Sequence, residues 1–235
     1  MRVLMGLLAL TALGLAPAAA GAATATYSQF YPGNNNADPG QNPQTFSPTD
    51  WDGTTQSVTL PQFDPTLGTL TAVSLSLYGN ASSSGSLVNT GSSTADVASY
   101  LATLDVTLQA PGGELLTVSP QLFSISAPIT LDPGQSYAFG AGTPVNSSDS
   151  TAVSPSDFAP YTGTGNLNFP LSTATTTTGD VTGGNLTISQ ATGARAQATV
   201  IYTYDLAPAT DVPEPASAAL LGAGLLGLGL LRRRA

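Results

Sequence analysis

From residue 24 to residue 211 the chain has no segment with helical periodicity, but it repeatedly alternates apolar and hydroxylated residues over short runs. The clearest run covers residues 70–78, where Val73, Leu75 and Leu77 alternate with serines. Alternation with a period of two predicts a strand with one buried face and one solvated face. The region is therefore expected to fold as β-structure.

Comparable runs recur along the region and are separated by turn-forming residues. The further predicted strands are residues 25–31, 56–60, 104–108, 115–118, 129–131, 137–139, 167–171, 186–188 and 198–204. The predicted turns are Asp64-Pro65, Pro111-Gly112-Gly113, Asp132-Pro133-Gly134 and Gly183-Gly184-Asn185. Residues 142–183 are poor in large apolar side chains and are predicted to be mainly a long loop excursion. The predicted fold is an all-β antiparallel β-sandwich of about 8–10 strands.

The N-terminus has the layout of a secretory signal peptide. Arg2 precedes an uncharged apolar run, and small residues follow it up to Ala23. This order predicts a signal helix within residues 1–23, with cleavage after Ala20 or between Ala22 and Ala25. The alternative is a buried N-terminal helix.

The C-terminal residues 212–235 combine three features. In chain order these are Pro213-Glu214-Pro215, an uncharged run over residues 216–231, and Arg232-Arg233-Arg234. A helix of this run would be about 24 Å long, a short membrane span whose arginines would lie on the cytoplasmic side. Residues 207–211 would be the linker before this tail.

This ending resembles the PEP-CTERM sorting signal of Gram-negative bacteria, in which the same three parts occur in the same order. The resemblance implies recognition and removal of the tail by the intramembrane enzyme exosortase. It also implies export by the Sec machinery and an association with extracellular polysaccharide. A plain membrane anchor that is never processed is the alternative.

Charge and composition exclude several functions. The region between the two ends carries thirteen carboxylates and only Arg195, a net charge of −12, so it would repel nucleic acid. The whole sequence contains no Cys and no His. This excludes zinc sites built on those residues and catalysis by a His base or a Cys nucleophile.

One internal segment, residues 60–73, carries a second resemblance. Its pattern of Phe-Asp-Pro, Leu-Gly and Leu is similar to the signature of the choice-of-anchor E domain, a bacterial extracellular domain that the resemblance would extend over residues 24–206. The residues that match are Phe63, Asp64, Pro65, Leu67, Gly68 and Leu70. We expect a structural role for them, with Asp64-Pro65 opening a turn and Phe63, Leu67 and Leu70 filling one end of the sandwich. The resemblance implies no enzymatic activity.

Asp50 and Asp52, which flank the single tryptophan Trp51, are weak candidates for a calcium site, because calcium prefers oxygen ligands. A solvated turn is the alternative interpretation, and Trp51 is expected in the core. The sequence thus predicts a non-enzymatic protein without a required cofactor, exported and held transiently in the inner membrane before it reaches the cell surface or the extracellular matrix. The alternative function is a carbohydrate- or calcium-binding adhesion module.

Overall fold

The computed structural model describes residues 21–33, 46–140 and 145–207. Within these ranges the chain forms twelve strands and three 3-10 helices, Pro65–Leu67, Pro155–Asp157 and Ala159–Tyr161. The strands are β1 (Ala22–Tyr31), β2 (Ser47–Pro48), β3 (Asp52–Pro61), β4 (Gly68–Asn89), β5 (Ala95–Gln109), β6 (Leu115–Val118), β7 (Gln121–Ile125), β8 (Ile129–Leu131), β9 (Ser136–Phe139), β10 (Val145–Ala152), β11 (Asn166–Gly183) and β12 (Leu186–Leu206).

These strands form two antiparallel sheets of six strands each. The first sheet has the order β1-β12-β4-β10, with β2 on β12 and β9 on β4. The second has the order β3-β11-β5-β6, with β7 and β8 on β5. The all-β antiparallel prediction is confirmed at this level, while the strand number exceeds the expected range.

The alternating runs supply the core, as their pattern predicts. On β4, Val73, Leu75 and Leu77 are each at most 2% exposed. On β5, Leu104 and Val106 are fully buried in the same cluster. A second, smaller cluster comprises Leu87, Val97, Tyr100, Ala102, Ile125 and Leu131.

The prediction of a long loop over residues 142–183 is wrong. β10 and β11 occupy most of this segment, and β11 buries Phe169 and Leu171 between the sheets. Beyond Leu171 the strand is rich in threonine and pairs with β5 up to Gly183. Its β-branched residues favour the extended backbone, but from residue 174 onwards both of its faces are exposed, so no apolar alternation marks it.

The predicted strands 186–188 and 198–204 belong to one continuous strand, β12, which pairs with β4 over nearly its whole length. Small residues join the two parts, including Ala194 and Ala196, which are buried. Hydrophobic patterning misses this connection because alanine and glycine contribute little to an apolar run.

Both predicted membrane-directed helices, the signal helix and the span 216–231, lie outside the described residues. β1 begins at Ala22, inside the predicted segment 1–23. Across the part of the chain that the structure describes, no helix has the length and apolar character needed to span a membrane.

Candidate functional site

The first and last strands of the domain lie side by side, and the chain enters and leaves at the same end. Ala22 on β1 is opposite Asp205 on β12. The chain continues to Ala207, whose backbone N–H donates to the carbonyl oxygen of Leu67 at 3.1 Å. Five residues, 208–212, then separate Ala207 from Pro213. We call this end of the sandwich the exit end.

The Phe-Asp-Pro segment builds the turn against which the last strand is held. The Asp64 carboxylate accepts from the backbone N–H of Thr66 at 2.9 Å and caps the 3-10 helix that starts at Pro65. This hydrogen bond lowers the pKa of the Asp64 carboxyl group. The expectation that Asp64-Pro65 opens a turn is confirmed.

Gly68 ends this turn at a point where only glycine fits. A Cβ at this position would lie 1.9 Å from the carbonyl oxygen of Asp205. The missing side chain thus lets β4 begin directly beside the end of β12, where Gly68 is opposite Leu206.

The apolar residues of the segment divide into core and surface. Phe63 is 1% exposed, and its ring centre lies 5.0 Å from that of Tyr204 and 5.8 Å from that of Tyr202. Leu70 is partly buried against the same cluster. Leu67 is 41% exposed, so the expectation that it fills the sandwich end is wrong. Residue 67 instead contributes its backbone carbonyl, which accepts from the N–H of Ala207.

Two buried tyrosine hydroxyls make hydrogen bonds at the exit end, and the sequence analysis assigned no role to either hydroxyl. The Tyr161 hydroxyl donates to the Glu114 carboxylate at 2.9 Å, and the Tyr202 hydroxyl donates to the carbonyl oxygen of Pro61 at 2.9 Å. Burial raises the pKa of both tyrosines, and Glu114 raises that of Tyr161 further. Both hydroxyls therefore act as neutral structural donors, and not as nucleophiles or bases.

Trp51 is 2% exposed and its ring stacks edge-on against Tyr31 at 5.0 Å, which confirms the core assignment. The flanking residues Asp50 and Asp52 are exposed. The Asp52 carboxylate accepts from the N–H and the hydroxyl of Thr54, which lowers the Asp52 pKa. Among the described residues, no group of three or more His, Cys, Asp or Glu side chains is arranged as a metal site.

An open groove of about 540 Å³ lies beside Asp50 at the junction of β2 and β12. Phe46 and Pro48 form its apolar part, while Asp50, Gln190 and Thr192 supply polar groups. The Gln190 amide donates to the Thr192 hydroxyl at 3.0 Å. Such a surface presents one carboxylate and neutral hydrogen-bonding groups next to one aromatic ring.

The predicted sorting residues, Pro213, Glu214, Pro215, Arg232, Arg233 and Arg234, lie outside the described residues. Comparison with known families identifies this tail.

Residues 211–234 match the PEP-CTERM protein-sorting motif.

The match covers the tail and not the sandwich. The PEP-CTERM motif supports an exported, membrane-transiting protein and implies processing by exosortase. It begins four residues after Ala207, so the exit end of the sandwich leads directly into the PEP-CTERM motif.

The similarity of the whole chain to known proteins adds little to this result. No curated protein matches it. A chain in the structure of infectious bursal disease virus strain Gx is 14% identical, with 85% of this chain and 43% of the viral chain covered and a TM-score of 0.20. For strain Gt the identity is 11%, the coverage 94% and 53%, and the TM-score 0.13. This chain thus spans about half of those viral chains.

Proposed function

We propose that this chain is a non-enzymatic surface or extracellular-matrix protein of a Gram-negative bacterium. It is exported by the Sec machinery, retained briefly in the inner membrane by its tail, and released when exosortase cuts near Pro213-Glu214-Pro215. The PEP-CTERM match at residues 211–234 is the observation that carries the proposal.

The geometry of the exit end supports it. Ala22 and Asp205 are opposite each other, so the segments removed before and after the domain both leave from one end. Neither cut would have to pass through the paired strands. The hydrogen bond from Ala207 to Leu67 keeps the last strand attached up to the start of the linker.

We further propose that the sandwich is a choice-of-anchor E type domain. Phe63, Asp64 and Gly68 each have a separate structural task at the exit end: core contact, turn cap and close approach to Asp205. A motif with this placement would recur in domains whose last strand leads into an anchor, because the motif holds that last strand in position.

The test is the C-terminus of the mature protein. Mass spectrometry of surface material should find a C-terminus near Pro213-Glu214-Pro215, with Arg232, Arg233 and Arg234 absent. Replacing the three motif residues by alanine should leave the tail attached and the protein in the inner membrane. The matched control replaces Pro208, a proline of the linker, by alanine and should leave release unchanged. Intact tails on wild-type surface protein, or normal release of the triple variant, would show a plain anchor.

A second candidate function is a carbohydrate- or calcium-binding adhesion module, and the groove beside Asp50 favours its carbohydrate form. Neutral glycans fit a protein with a net charge of −12 in this region better than anionic polymers do. This function would be supported if the protein bound the extracellular polysaccharide of the bacterium that produces it and if Phe46→Ala abolished that binding. A rise in melting temperature with calcium that is lost in Asp50→Asn would support the calcium form.

A further inference from the structure

The edges of the two sheets are treated unequally. An edge strand exposes free N–H and C=O groups that can pair with another chain, and stable proteins usually block them. On β6, the N–H of Thr117 is taken by the Asp149 carboxylate at 3.2 Å. On β3, the N–H of Thr59 is taken by the Gln29 side chain at 3.0 Å. These two side chains bridge the sheets, and each occupies one backbone N–H of an edge strand.

In the C-terminal half of β11, no described side chain takes up an outward-pointing backbone group in this way. β3 covers β11 only as far as Ser172, and the N–H of Thr173 is the last to find a partner there, the carbonyl oxygen of Trp51 at 3.0 Å. From residue 174 to residue 183 every residue of β11 is exposed. We call residues 174–179 the open edge; its sequence is Ala-Thr-Thr-Thr-Thr-Gly, without charge or proline.

Hydrogen-bond alternation shows which backbone groups of the open edge point outwards. The N–H of Leu104 on β5 donates to the carbonyl oxygen of Pro120, on the side of β5 away from β11. Its partner on β11, Thr175, is therefore in a non-hydrogen-bonded pair and directs its own N–H and C=O away from β5. The same parity applies to Thr177 and Gly179, and Thr173 agrees with it through its bond to Trp51.

We propose that the open edge is a self-association site, at which a second copy of this chain adds its own β11 antiparallel. A two-fold axis at Thr177 pairs Thr177 with Thr177 of the second copy and Thr175 with Gly179. All three outward-pointing residues are then satisfied, by six N–H···O=C bonds. The intervening pairs place Thr176 against Thr178, a favourable cross-strand combination.

Charge is compatible with this register although the protein is acidic. Asp180, the nearest acid on β11, faces Ala174 of the second copy and not its own equivalent. The general repulsion between two copies remains, since each carries a net charge of −12 between residues 24 and 211. We therefore expect weak association that strengthens as salt screens this repulsion. Dense display on a surface or in a matrix would favour it further by concentration.

The absence of cysteine makes a direct test feasible. Directly opposed, hydrogen-bonded residues of an antiparallel pair have Cα atoms about 5.5 Å apart, within the range that a disulfide spans. Mature exported Thr177→Cys should form a disulfide-linked dimer under mild oxidation. Ser74→Cys is the matched control: residue 74 is also an exposed hydroxyl position, but it lies on the interior strand β4. It should remain monomeric.

Sedimentation velocity of the mature protein measures association without any cross-link. The wild type should show a dimer fraction that grows with protein concentration and with salt. Thr177→Pro, which removes an outward-pointing N–H and none that points towards β5, should lose this dimer while it retains a β-rich circular dichroism spectrum. Equal cross-linking of both cysteine variants, or of neither, would overturn the proposal. A strictly monomeric wild type would do the same, and would leave the edge to a different partner or to none. The result is independent of how the tail is processed.

Discussion

Gly68 and Asp205 are in such close contact that a Cβ on residue 68 would stand 1.9 Å from the Asp205 carbonyl oxygen. The contact joins the first residue of β4 to the end of β12, at the exit end of the sandwich. Any larger residue at position 68 must therefore displace the strand that leads to the tail.

Gly68→Ala is expected to lower the free energy of unfolding by roughly 2–4 kcal/mol, because the added methyl group forces the two strands apart. Denaturant unfolding measures the loss. Gly134→Ala is the control: it has φ of 79° but no atom within 4 Å of the added Cβ, so it should cost only about 1–2 kcal/mol of backbone strain. Equal losses in the two variants would contradict the close contact.

Leu75→Asp is expected to unfold the domain, since Leu75 is 2% exposed and a carboxylate there would be buried without a partner. Leu67→Asp introduces the same group at a side chain that is 41% exposed and should change stability by about 0.5 kcal/mol or less. Circular dichroism melting distinguishes the two. A folded Leu75→Asp would refute the strand register, and an unfolded Leu67→Asp would refute the surface position of Leu67.

Stability should fall at alkaline pH. Burial raises the pKa of Tyr161 and Tyr202 above the value that each has in the unfolded chain, about 10. The unfolded state therefore releases protons first, so the stabilising contribution is complete below about pH 10 and declines as pH rises above it. Unfolding midpoints measured from pH 8 to pH 11 should show this decline. Tyr202→Phe, which removes one of the two groups, should have a shallower slope; an identical slope would argue against the role of Tyr202.

The mature N-terminus should be Gly21. Residues 22–25 pair with residues 205–202, so cleavage after Ala20 leaves the whole of β1 intact, whereas later cleavage removes ladder positions from it. The small residues at Ala18 and Ala20 suit signal peptidase. N-terminal sequencing of the exported protein provides the measurement. A start at Thr26 would show that the first residues of β1 are dispensable.

The sequence by itself determined the all-β class and the most regular strands. Runs such as residues 70–78 and 104–108 alternate because one face is buried against the opposite sheet. The apolar side chains of the buried face are visible in the sequence as every second residue. It also determined the Asp64-Pro65 turn, whose cap is local, and the three-part tail that matches the sorting motif. These features depend on neighbours in the chain, so a pattern reveals them.

Tertiary structure alone decided where the strands lie relative to one another. The threonine-rich half of β11 is a strand because β5 forms backbone hydrogen bonds with one of its sides. The identity of Thr175 or Thr177 does not predict that partner. The pairing of Ala22 with Asp205 and the bond from Ala207 to Leu67 join residues more than 130 positions apart. The close approach of Gly68 to Asp205 and the hydrogen bond from Tyr161 to Glu114 likewise exist only in the folded chain. Apart from proline, every residue type offers the same backbone N–H and C=O groups, which is why register, open edges and the common exit of the two ends follow only from the folded arrangement.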